Sequence, residues 1–358
     1  MLFAVCAPGI EPVLLSEVQA LGAAGRAVAG GVLVEDDAQM MRLNLMLRTA
    51  SRVLLRLGEV KATAFDELVR KASALPWEKF VGRGARAAFH VTCRKSRLYH
   101  SSAVKERLHA ALEKRAGFAV PTDESGQLFV ARFDRDVCTV SADTSGALLH
   151  QRGYRLAQGQ APLRETLAAA LLFAAGFHGE ESFCDPLCGS GTIAIEAALI
   201  AARRAPGIGR EFAFEKWPAF EPKLLQQLRD EARSQERRIS VSIEASDAEA
   251  GAVAAARENA ARAGVFVQVQ QRTLTELPPL DGTGLIACNP PYGVRLGGDL
   301  RRTYRELGDA LRRRPQWRLA AILADEKLAR AAALPWRKLL HTQNGGLRVE
   351  MLLSACAP

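Results

Sequence analysis

Phe183-Cys184-Asp185-Pro186-Leu187-Cys188-Gly189-Ser190-Gly191-Thr192 is the stretch on which the fold turns: an apolar strand end, a tight glycine turn, then the apolar helical run Ile193 to Ala202. Gly189 and Gly191 let the backbone turn sharply and approach a ligand, and the first turn of the helix offers unpaired N–H groups to an electronegative group. A lone glycine-rich turn is also an ordinary βα connection, so its meaning depends on its neighbours.

Strand 241–245 runs into Ser246-Asp247, which places a carboxylate where open α/β sheets put the acid that accepts hydrogen bonds from ribose hydroxyls. The interval from the glycines is over fifty residues, against the ~20 of a dinucleotide fingerprint. It is lengthened by residues 205–238, which carry Phe212, Phe214, Trp217 and Phe220. That insertion reads equally as a substrate-facing excursion or as a helical elaboration with core aromatics. Further on, Asn289-Pro290-Pro291-Tyr292-Gly293 follows strand 284–288. Two prolines stop a strand rigidly. An Asn side-chain carbonyl and the next backbone carbonyl can then accept both hydrogens of an exocyclic amino group, and a Tyr ring can stack on the base.

Around these sites the pattern alternates: helix 163–175, strand 181–184, helix 191–203, strand 241–245, helix 249–263, strands 265–270 and 284–288, helix 300–313 and strand 318–323. Strands separated by helices predict a parallel α/β sheet. Lys338–Gln343 and Leu347–Leu353 flank Asn344-Gly345-Gly346, which predicts a hairpin closing that sheet with an antiparallel pair. The first half is α+β in texture. Strands 2–7, 30–34, 51–57, 87–93, 127–133 and 137–143 are interleaved with helices 10–21, 38–47, 65–75 and 101–116. Residues 148–162 are polar and lack apolar periodicity, so they read as a linker.

The chain has 358 residues with a net charge of +9, and residues 1–160 hold 22 Lys+Arg against 16 Asp+Glu. A basic excess suits a polyanionic partner, although this one is moderate. The longest uncharged apolar run, Leu167 to Phe177, falls short of the ~20 residues of a membrane span. The first residues show no basic region ahead of an apolar block, so no secretory signal is expected. Seven scattered cysteines (6, 93, 138, 184, 188, 288 and 356) suit reduced thiols in a cytoplasmic protein. Cys184 and Cys188 lack the second ligand pair of a zinc site, and no metal is expected.

With these motifs in place, the chain resembles the Rossmann-like S-adenosylmethionine-dependent methyltransferases that act on exocyclic amino nitrogens. Cys93 to His100, Asp143-Thr144-Ser145-Gly146, Arg152-Gly153-Tyr154-Arg155 and Ala161 to Ala169 extend the likeness to the THUMP-containing guanine-N2 RNA methyltransferases of the bacterial large-subunit ribosomal RNA type. The resemblance implies a ferredoxin-like domain (1–58), a THUMP RNA-binding domain (59–147), the linker (148–162) and a class I methyltransferase domain (163–358). It implies S-adenosylmethionine held by Asp185, Pro186, Cys188, Gly189, Ser190, Gly191, Thr192 and Asp247. The base would be handled by Asn289, Pro290 and Tyr292, and RNA by Lys95, Arg97, Lys105 and Arg107. Members usually place an Asp after the next strand to bind adenine; here the stretch is Gln270 to Thr275, and that role is open between Thr273, a backbone group and Glu276. The implied reaction is methyl transfer to guanosine N2 in RNA, with 23S ribosomal RNA as the leading target. The rivals are transfer RNA, adenine N6 of DNA, and a non-catalytic role in ribosome assembly.

Overall fold

The computed structural model describes residues 1–155, 163–278, 282–291 and 300–355. In its first half lie β1 (Leu2–Val5), α1 (Glu11–Ala20), β2 (Gly25–Val28), β3 (Gly31–Val34), α2 (Met40–Met46), β4 (Arg52–Lys61), α3 (Phe65–Ala72), β5 (Ala87–Arg94), α4 (Ser101–Ala116), β6 (Gln127–Asp134) and β7 (Val137–Asp143). All seven strands join one sheet in the order β2-β3-β1-β4-β7-β6-β5. Strand β4 makes the sheet continuous. Its first residues pair with β1, while residues 54–61 pair with β7 across an irregularity between Arg56 and Gly58. The change of domain expected at 58/59 therefore falls inside one strand.

The second half comprises α5 (Glu165–Ala174), β8 (Ser182–Asp185), α6 (Thr192–Ala201), α7 (Pro222–Ser234), β9 (Ile243–Asp247), α8 (Ala250–Ala263), β10 (Gln268–Gln271), β11 (Gly284–Cys288), α9 (Leu300–Arg312), β12 (Trp317–Leu323), α10 (Glu326–Ala331), β13 (Arg337–Asn344) and β14 (Leu347–Ala355). Its sheet order is β10-β9-β8-β11-β12-β14-β13. The first five strands are parallel, and β14 inserts antiparallel to both β12 and β13. The expected hairpin is present. Gly345 (φ +56°) and Gly346 (φ +86°) supply the two positive-φ positions that match the twist of the flanking strands. Every residue of β11 is buried, as a strand covered on both faces requires. Strand order reverses at β8, which lies between β9 and β11, so a crevice opens at the carboxyl ends of these strands.

Two segments differ from their sequence reading. The 205–238 insertion turns its aromatics inward: Phe212 and Phe214 are 2% and 0% exposed, and their rings stack at 5.1 Å. Trp217 packs edge-on against Phe80 of the first half at 4.8 Å and donates to Gln127 Oε1 at 2.6 Å. The insertion is thus a clasp between the halves, and the substrate-facing alternative loses its aromatics. The described part of the linker, 148–155, has neither helix nor strand, yet it is tightly docked. Arg152 reaches Glu196 of α6 at 3.1 Å and the Arg48 carbonyl at 2.7 Å, and the Tyr154 hydroxyl donates to Glu196 at 3.1 Å. Arg48, from the first half, stands 3.7 Å from the same carboxylate. Glu196 is fully buried in a helix whose ten residues are all buried. A carboxylate survives there only because three partners meet it.

Candidate active site

The expected cofactor loop leaves β8 at Asp185 and enters α6 at Thr192. Gly191 has φ +84°, and a Cβ there would stand 3.0 Å from the Ala256 Cβ of α8, so the loop is pressed against that helix by the absence of a side chain. Contacts from distant sequence pin the loop. The Cys188 N–H donates to the Ser246 carbonyl at 3.0 Å, and the Gly189 N–H donates to Asp247 Oδ2 at 2.9 Å. The Asn259 amide donates to the Ser190 carbonyl at 3.0 Å. The structure therefore brings Asp247 to the glycine loop, as the sequence reading requires, although the two lie 58 residues apart. Asp247 Oδ1 accepts from the Glu249 N–H at 3.0 Å. Two backbone donors orient the carboxylate and leave lone pairs for ligand hydroxyls.

Asp185 is 1% exposed and accepts from the Leu187 N–H at 3.2 Å. Burial pushes its pKa well above the usual carboxylate range, and the neighbouring Asp247 charge adds to the shift. A cationic ligand would restore the charged form. Pro186, Cys188, Ser190 and Thr192 lie within the same loop and helix start. The Cys188 thiol is pushed up chiefly by burial, then by Asp185 and Asp247, which makes it a packing group rather than a nucleophile at neutral pH.

Asn289 and Pro290 follow β11, the strand beside β8. Asn289 Oδ1 is buried and has no hydrogen-bond partner among the described residues. A buried acceptor without a donor is costly in a finished structure and marks a place kept for one. The Tyr304 hydroxyl of α9, beneath this loop, lies 3.5 Å from the Pro291 carbonyl. Tyr292 lies outside the described residues. Beyond β10, Thr273 and Glu276 form a reciprocal cap: the Thr273 N–H and hydroxyl both donate to Glu276 Oε2, at 2.8 and 2.9 Å. Glu276 is thereby held below the ordinary carboxylate range.

The four basic residues proposed for RNA lie on the first sheet's side. Lys95 and Arg97 are exposed in the loop between β5 and α4. Lys105 and Arg107, both on α4, stand roughly 200° apart around the helix, and the Arg107 guanidinium lies over the Phe65 ring at 5.7 Å. Lys105 and Arg107 therefore face different sides of α4. Two positioning residues escaped the sequence reading, Asn259 and Glu196. Glu196 is a lone charge in an otherwise apolar helix, and that interruption was the available signal, whereas Asn259 follows Arg257 and Glu258 and gives no such signal.

A sheet ordered in this way, with a glycine loop after its central strand, an acid after the next and an antiparallel penultimate position, defines a class I methyltransferase; here it carries an N-terminal α+β module. Models described as an RlmL ferredoxin-like domain, a THUMP domain and an RMKL-like methyltransferase domain match residues 1–54, 62–143 and 152–349. The chain belongs to the RMKL-like methyltransferase family. It is 34% identical to a putative RNA methyltransferase, YpsC, of Bacillus subtilis, over 98% of this chain and 94% of that one. It is 35% identical to the ribosomal RNA large subunit methyltransferase K/L of Syntrophotalea carbinolica, over 98% of this chain and 53% of that protein, so it spans about half of that relative. Among solved structures, SMU.472, a putative methyltransferase complexed with SAH, shares 30% identity with a TM-score of 0.90 over 100% of this chain and 98% of that one. A predicted N6-adenine-specific DNA methylase from Listeria monocytogenes shares 33% identity with a TM-score of 0.90, over 100% and 96%.

Proposed function

We propose that this chain transfers a methyl group from S-adenosylmethionine to the exocyclic N2 of a guanosine in RNA, with large-subunit ribosomal RNA as the target. The observation that carries this reading is the buried Asn289 Oδ1, without a partner among the described residues, at the carboxyl end of β11, the strand beside β8, whose loop Asp247 pins. The site fits the cofactor. Gly189 has open space where a Cβ would stand, Asp247 keeps lone pairs for ribose hydroxyls, and among the described residues no cation meets the buried Asp185, a charge that a sulfonium or ammonium group would supply.

When bound, S-adenosylmethionine supplies a methyl already activated on sulfur. The protein's work is then positional. Asn289 Oδ1 and the Pro290 carbonyl accept the two amino hydrogens, which turns the nitrogen lone pair away from the ring and toward the methyl. The amine would take the methyl with S-adenosylhomocysteine as the leaving group, and its surplus proton, held at Asn289 Oδ1 or the Pro290 carbonyl, would pass to solvent. A paired base cannot reach such a pocket, so the nucleotide must be unpaired or extruded, with Tyr292 as its stacking face. The same acceptors would suit adenine N6, the activity for which the Listeria methylase is named, but the THUMP match on residues 62–143 favours RNA. The K/L relatives, named for large-subunit ribosomal RNA, favour that target.

The test is transfer of labelled methyl from the cofactor to total RNA and to DNA, followed by mapping of N2-methylguanosine. Label in 23S RNA as N2-methylguanosine supports the reading. Label confined to DNA, or to another nucleoside, overturns it.

A further inference from the structure

The loop between β5 and α4 carries an aromatic pair on the surface. Tyr99 is 67% exposed, His100 is exposed beside it, and their rings lie 4.0 Å apart at 40°. Leu98, just before them, is buried in the core of the first sheet's outer half and fixes the loop from below. The loop is also strapped to the β6–β7 turn. The Arg97 N–H donates to Asp136 Oδ1 at 2.7 Å, the Asp136 N–H donates to Ser96 Oγ at 3.0 Å, and the Arg135 N–H donates to the Arg94 carbonyl at 3.2 Å. Lys95, Arg135 and Asp136 hold positive φ of 47°, 50° and 63°, a region non-glycine residues seldom occupy, so the surrounding contacts dictate the shape. Lys95 and Arg97 project into solvent on either side of Ser96. The first turn of α4, which follows directly, contains no acid.

An exposed, rigidly mounted aromatic pair flanked by cations, with its one adjoining carboxylate, Asp136, engaged by the Arg97 N–H, suits a π-faced anion: bases stack on the rings while phosphates meet the cations. A duplex offers few such faces, because each base is covered by its neighbours. We infer that the 95–100 loop binds an unpaired nucleotide of the RNA substrate, with Tyr99 and His100 stacking on the base and Lys95 and Arg97 meeting its phosphates, at a site separate from the pocket of Asn289. The inference rests on the RNA reading above and specifies which part of the RNA the N-terminal module grips.

The test uses the full chain and two fluorescent probes, a short unstructured RNA and a blunt RNA duplex of the same bases, with S-adenosylhomocysteine affinity as a control for folding. Tyr99→Ala should weaken the single strand about 5- to 150-fold, the range of one lost base–aromatic stack. Its duplex and S-adenosylhomocysteine affinities should stay at parental values, and Tyr99→Phe should retain single-strand binding. Lys95→Glu with Arg97→Glu should weaken the single strand and flatten its salt dependence. If the parent binds the single strand and methylates RNA while Tyr99→Ala binds it equally well, the stacking site is wrong and the methyltransferase reading stands. If the parent binds neither probe and methylates no RNA, both fall together.

Discussion

The two seven-stranded sheets treat buried polar groups in opposite ways. Among the described residues, no strand of the first sheet holds a buried side-chain nitrogen or oxygen without a partner. In the second, Ser246, Trp317, Thr342 and Ser354 do so on strands, and Asn289 does so at the end of β11. Of these, Ser246 near the end of β9 and Asn289 just past β11 sit at the carboxyl edge beside β8, whereas Trp317 opens β12 at the opposite edge. A sheet that only supports a surface can satisfy itself. A sheet that binds ligands must leave acceptors and donors open at the edge where the ligand arrives. Between the two sheets lies the reverse situation, a carboxylate saturated by groups from both halves.

That seam offers the largest expected effect. If the halves were independent, losing Glu196 would matter little. With Arg48 and Arg152 buried against it, Glu196→Ala should destabilise the protein by about 3–5 kcal/mol, since two buried cations lose their counter-charge. Denaturant unfolding of the full chain would measure this, and the lowered midpoint should be shared by probes in both halves.

A second prediction sharpens the seam through pH. Burial, partly countered by Arg155 at 3.2 Å, raises the Glu165 pKa to about 7. The unfolded carboxyl releases its proton near 4.5 and the folded one near 7. The folded state therefore binds more protons between these values, and this contribution to stability falls as pH rises through that window, by roughly 3 kcal/mol at most. Melting temperature followed from pH 4.5 to 7.5 should show the decline in the parent, and Glu165→Gln should flatten it.

The third prediction bears on the open edge. Asp247→Ala removes charge-assisted hydrogen bonds to the ribose and should weaken S-adenosylhomocysteine by about 1.5–3 kcal/mol. It also frees the Gly189 N–H, while leaving the 95–100 loop untouched. Titration of the cofactor product against the variant would show a raised Kd alongside parental binding of single-stranded RNA.

The two edges were not equally legible in the sequence. The strand ends and turns at Asp185 to Thr192 and at Asn289 to Pro290 could be read because each lies in one local run. The hairpin around Gly345 was legible for the same reason. Strand β2 was not, because Gly25–Val28 is an edge strand whose residues are exposed or half-buried and show no apolar alternation. Residues 148–155 read as a linker because they are polar; their partners, Glu196 and Arg48, lie 44 and 104 residues away, beyond any local pattern. Helix α7 was hidden by charge, since only Leu225 and Ala232 of its thirteen residues are buried. The role of Asn259 in holding the glycine loop depends on a contact 69 residues distant.

The proposed role of Asn289, to serve the base amine and not the cofactor, is tested most directly by single-turnover methyl transfer from S-adenosylmethionine to RNA by Asn289→Ala, with cofactor affinity measured on the same preparation. The expected result is a rate at least ~100-fold below the parent, as for loss of one preorganised hydrogen-bonding group, with cofactor affinity unchanged. Transfer at the parental rate would contradict the assignment of this loop as the active site.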